Sequence, residues 1–150
     1  MNFYKLELGF AKVNPTLDNT DPFNGLRMTK QRKVVYDVLL EEKDHPIAQT
    51  IYERVKEKLP TVSLATIYNC LDALVSHNIV RQVNVDREPS RYCPNLTEHG
   101  HFHDKKSGKV FDIQFKPDVD LSQILDLPNG AVIENLELNV KGFLPNKSEK

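Results

Sequence analysis

At 150 residues the chain is long enough for one domain, or for two small ones sharing an interface. Its composition, 39% hydrophobic and 27% charged, is that of a water-soluble globular protein. No run approaches the ~20 apolar residues that span a bilayer. The first residues lack the basic-then-apolar layout of a secretory signal, so no membrane association and a cytoplasmic location are expected. The net charge of −1 gives no overall cationic coat for nucleic acid, and Cys70 and Cys93 make no disulfide framework.

In chain order, residues 1–25 form an N-terminal arm. It is rich in turn signals (Asn14-Pro15, Asp21-Pro22, Asn24-Gly25) with a few apolar residues near its start. From Thr29, a capping residue, Val34, Val35, Val38 and Leu39 make the apolar stripe of a first helix. Asp44-His45-Pro46 breaks it. A second helix is expected from about Ala48 to Leu59, ended by Pro60. Ser63 caps a third with Leu64, Ile67, Leu71, Leu74 and Val75 on its core side. Three short helices with tight links predict a helix-turn-helix unit.

After His77-Asn78 the period becomes two, and residues 79–85 and 90–93 read as a hairpin, a wing behind the third helix. Pro94-Asn95 reads as a seam. Beyond it come a strand near 109–115, a short helix near 120–126 and a strand near 131–141. This β-α-β piece is too small to stand alone, so a second copy is expected to complete its core. The fold class is α+β. A winged helix-turn-helix over 26–93 is followed by a small α/β dimerisation domain over 94–143, and residues 144–150 form a frayed tail.

His99-Gly100-His101-Phe102-His103 is the densest chemical signal. In an extended segment the three histidines share one face, about 6.6 Å apart by strand rise. Imidazole with nearby thiolate or carboxylate reads first as a transition-metal site. Two clusters of basic residues, Arg27-Lys30-Arg32-Lys33 and Arg81-Arg87-Arg91, suit phosphate contacts, but on charge alone they read more readily as solvated surface, because such clusters are common. Cys70, beside the apolar stripe of the third helix, reads as packing.

Met28-Thr-Lys-Gln-Arg32, His45-Pro46, Ser63-Leu-Ala-Thr-Ile-Tyr-Asn-Cys-Leu71, Arg91-Tyr-Cys93, His99-Gly-His101 and Gly108-Lys-Val-Phe-Asp112 together resemble the ferric uptake regulator (Fur) family over roughly residues 26–142. The resemblance implies a homodimeric, metal-dependent repressor of metal-uptake or stress genes, of the zinc-uptake, iron-uptake or peroxide-regulator type, that binds palindromic double-stranded DNA. It implies one divalent regulatory metal per subunit, zinc or iron with manganese as a further option. The implied ligands are His45, Cys93, His99, His101 and Asp112, with His103 and Asp104 as outlying candidates. Cys93 stands where peroxide sensors of the family have Asp and several iron sensors have Glu, and its thiolate tilts the site toward zinc.

The Cys-x-x-Cys pairs that hold a structural zinc in many members fall here at Asp104/Ser107 and Leu144/Lys147, so that zinc is expected to be absent. For DNA, Ser63, Thr66, Tyr68 and Asn69 offer hydroxyl, amide and ring groups on the third helix. By resemblance Tyr68 is the base contact, while Arg27, Lys30 and Arg32 hold the phosphate backbone. Two rival readings remain. A metal-independent winged-helix protein would carry incidental histidines. A zinc hydrolase or deaminase would need His-Glu-x-x-His, or His-x-Glu with Pro-Cys-x-x-Cys, and the chain has neither.

Overall fold

A computed structural model describes residues 21–85, 87–116, 124–133 and 136–145. Three helices come first: α1 (Lys30–Glu42), α2 (Ala48–Lys58) and α3 (Leu64–Ser76). Thr29 caps α1 by accepting a hydrogen bond from the Arg32 amide, and Ser63 caps α3 by accepting from the Thr66 amide. The first helix ends at Lys43 in a left-handed conformation. Pro46 has no amide hydrogen to continue a helix, and α2 starts two residues later.

The apolar stripes converge. Val35, Val38, Leu39, Ile51, Val55, Ile67, Leu71 and Leu74 are all 0–1% exposed and form one core with Ile79, Val80 and Tyr92. Each buried aliphatic side chain stabilises the fold by roughly 1.5–3 kcal/mol. Of the arm, residues 21–25 lie among those described, and they pack on this body. Phe23 meets Tyr36 edge to face, and the Asn24 amide donates to the His77 carbonyl.

The wing is the antiparallel pair β1 (Arg81–Val83) and β2 (Arg91–Cys93). It is shorter than its alternating sequence predicts, because Ile79 and Val80 turn into the helical core instead of pairing. Beyond it lies a three-stranded sheet in the order β4 (Val110–Ile113), β3 (Gly100–Asp104), β5 (Asn139–Gly142). Strand β3 is antiparallel to β4 and parallel to β5. The last strand occupies only the end of the expected 131–141 segment. Residues 136–138 precede it as irregular chain, and the Leu138 carbonyl accepts from the His101 amide at 2.8 Å. Gly100 allows that approach, since a Cβ there would meet the Leu138 carbonyl oxygen at 3.0 Å. Most of the expected 120–126 helix lies outside the described residues, as do residues 1–20 of the arm and residues 146–150 of the tail.

Candidate metal centre and nucleic-acid face

Three pieces of chain deliver the histidines, the cysteine and the carboxylate to one place. His45 sits in the α1–α2 link with φ +54°, a left-handed conformation uncommon for a residue with a side chain. Its loop is held from behind, where Pro46 accepts from the Tyr92 amide and Ile47 bridges Arg91. Cys93 ends β2, so it belongs to the wing and not to the sheet beyond. His99 leads into β3, His101 lies on it, and Asp112 is the direct antiparallel partner of His101 on β4. The helical half therefore supplies two groups and the sheet supplies three.

The five candidate ligand atoms all lie within 4.8 Å of one another. Asp112 Oδ1 is 2.7 Å from His45 Nε2, 3.4 Å from His99 Nε2 and 3.9 Å from His101 Nε2. The two imidazole nitrogens Nε2 of His99 and His101 face each other at 3.0 Å, and Cys93 Sγ is 3.4 Å from His99 Nε2. Metal–ligand bonds of about 2.0–2.3 Å in a tetrahedron set donors about 3.3–3.7 Å apart, and these spacings bracket that range. His45 adds a second sign. Despite its short approach to Asp112, neither ring nitrogen makes a well-directed hydrogen bond, and both are buried. A buried polar atom without a hydrogen bond is costly, and a cation would satisfy it.

Electrostatics keep the His45 and His101 imidazoles neutral and Asp112 ionised, ready to ligate, while the Cys93 thiol must first lose its proton. Burial, followed by the neighbouring imidazoles, pushes His101 down to about 4. Burial also lowers His45, against the pull of Asp112. Burial pushes the Cys93 thiol up to about 11. For Asp112, burial acts upward, but the Asn95 amide and the nearby His99 and His45 hold its carboxyl below the usual range. Around the donors, Asn95 Nδ2 donates to Asp112 Oδ2 at 2.7 Å, and His99 Nδ1 lies 2.7 Å from the Thr97 carbonyl. Such partners set ligand orientation. Sequence reasoning missed Asn95 and Thr97. The available signal was the Asn-x-Thr pattern of an Asx turn, in which Asn95 Oδ1 accepts from the Thr97 amide and hydroxyl.

The other candidates stand apart. His103 Nε2 lies 3.2 Å from Asn139 Oδ1 on β5. Asp104 accepts from the Lys106, Ser107 and Leu144 amides and from the Ser107 hydroxyl, so it anchors a turn and the start of the tail. Arg81 and Arg91 leave the expected basic surface zone, because their guanidinium groups donate to the carbonyls of Leu96, His45 and Gly108.

A family model described as the ferric uptake regulator family matches residues 23–141. The chain belongs to this family. Among its relatives, the peroxide-responsive repressor PerR of Staphylococcus epidermidis is 34% identical over 96 residues, 64% of this chain and 63% of that protein. The match thus spans slightly under two thirds of that relative's length. Of the solved structures, a zinc-bound manganese uptake regulator has 27% identity and a TM-score of 0.61, over 80% of this chain and 93% of its own. The Campylobacter jejuni peroxide stress regulator has 26% identity and a TM-score of 0.61, over 78% and 87%. The α+β architecture, with the helical unit first and the small sheet second, is that of this Fur family.

On α3, Tyr68 and Asn69 are exposed, with Tyr68 at 47%. Ser63 and Thr66 are less free, since their hydroxyls hydrogen-bond each other and Ser63 also caps the helix. Arg27 and Lys30 are exposed at the start of α1, and Arg32 donates to the Arg27 carbonyl. Cys70 is buried in the core.

Proposed function

We propose that this chain is a metal-dependent DNA-binding transcriptional repressor of metal-uptake or stress genes, acting as a homodimer on a palindromic operator. The observation that carries the reading is the convergence of His45 and Cys93 from the helical half with His99, His101 and Asp112 from the sheet. One divalent cation gripped by both halves fixes the angle between them. In a dimer that angle sets the separation of two α3 helices, which must stand about 34 Å apart to enter successive major grooves. Driving a shape equilibrium from 1:99 to 99:1 takes about 5.5 kcal/mol of differential binding. Structural zinc sites supply roughly 10–16 kcal/mol.

The thiolate of Cys93 favours zinc, while the nitrogen and oxygen donors also accept iron or manganese. A second copy is supported by the apolar side chains that Phe111, Leu125, Val132, Leu138 and Val140 leave exposed. Among the described residues no helix is long and apolar enough to cross a membrane. Tyr68 and Asn69 read bases, and Arg27, Lys30 and Arg32 hold phosphates.

The test is metal analysis of protein purified without added metal, followed by DNA titration at fixed salt with zinc, iron(II), manganese(II) or chelator. The expected result is one metal per subunit and operator affinity lost on chelation. DNA binding indifferent to chelator overturns the reading.

A further inference from the structure

Arg91 carries a positive charge, yet no ion pair of its own appears among the described residues. Both of its hydrogen-bond partners are backbone carbonyls. Nη1 donates to His45 at 3.1 Å and Nη2 donates to Gly108 at 3.1 Å, while its buried Nε has no partner. One carbonyl belongs to the loop between α1 and α2. The other belongs to the turn between β3 and β4, where Gly108 has φ +70°. The planar guanidinium fork is suited to spanning two fixed acceptors, and an ammonium is not.

We infer that Arg91 is a positioning residue, a clamp that ties the His45 loop to the sheet and sets the two halves in register before any cation arrives. Two contacts act together on the loop: the guanidinium holds the His45 carbonyl, and in the backbone bridge between Ile47 and Arg91 the Tyr92 amide holds the Pro46 carbonyl at 3.1 Å. They keep His45 in its left-handed conformation, which is strained and persists only where the surroundings impose it. Without the clamp the loop relaxes, and its imidazole leaves the other four donors. The arrangement rests on the metal reading for its purpose, but the clamp itself is a property of the metal-free fold.

Amide exchange in the metal-free protein tests the clamp alone. In Arg91→Met the Tyr92 amide, released with the loop, exchanges at least tenfold faster than in the wild type. Zinc titration tests the consequence. Arg91→Met binds zinc 10–100-fold more weakly, the range seen when groups supporting metal ligands are removed. The protons released per zinc and the cobalt(II)–thiolate absorption stay unchanged, because the bound metal draws the loop back and takes the same ligand set. Arg91→Lys, which reaches one carbonyl at a time, restores only part of the affinity. It also replaces Arg91→Met in both measurements if that variant does not fold. Equal Tyr92 exchange in variant and wild type overturns the clamp, and equal zinc affinity overturns its positioning role. A wild type that takes up no metal while Tyr92 exchange still accelerates overturns the metal reading and leaves the clamp standing.

Discussion

Replacing Cys93 by Asp should abolish the proton that zinc binding expels. Cys93 is 1% exposed, and burial pushes its thiol up to about 11, with the Asn95 backbone opposing, the Asp112 charge adding and Arg81 opposing. Only the thiolate ligates. Stripping the proton at pH 7 costs about 5 kcal/mol, at about 1.4 kcal/mol per pH unit, and the sulfur–metal bond must repay it. His45, His101 and Asp112 have no proton left to lose at pH 7.5, since the two imidazoles lie below their ordinary value and the carboxyl below its own.

Zinc binding by the wild type should therefore expel about one proton from the cysteine, and the apparent affinity should climb about tenfold per pH unit between pH 7.5 and 8.5. In Cys93→Asp the new carboxylate is already ionised, so the release and the slope both fall close to zero. Calorimetry in two buffers of different ionisation enthalpy reads the protons directly. Equal release by the two proteins would refute the assignment of Cys93 as a ligand.

Two further outcomes are expected. The metal-free protein should lose stability as pH falls from about 6.5 toward 4. His101 is depressed to about 4 in the fold, so in that window the unfolded chain binds a proton that the native state refuses. That is about 3 kcal/mol, and His45 adds in the same direction. Urea midpoints at pH 7, 5.5 and 4.5 should show the slope, and His101→Gln should flatten it. On DNA, Tyr68→Ala should reduce discrimination between operator and random sequence by about 1–3 kcal/mol. Lys30→Ala should weaken both alike and lower the salt slope by about one. Equal losses in both variants would show these roles to be wrongly assigned.

Local physics carried the helices. Thr29 and Ser63 announce two starts, Pro46 and Pro60 punctuate, and the apolar stripe of each helix is the face that becomes buried. The short-range pattern also marked the His99/His101/His103 cluster, because alternate residues on a strand share a face; His45, Cys93 and Asp112 came only from the resemblance to the Fur family. The pattern failed where the partner is distant in sequence. His103 lies on β3 like His101, but Asn139 from β5 claims it. Arg91 looked like a surface cation and proved to be bound to carbonyls 46 and 17 residues away.

Residue order by itself determined the helices, their caps and the chemical character of the metal candidates, since each depends on neighbours within a turn or a strand. Tertiary structure alone decided which histidines meet, that Cys93 reaches the site from the wing, and that Arg91 points inward. Those outcomes depend on strand pairing and on how one half seats on the other, and no local spacing encodes either.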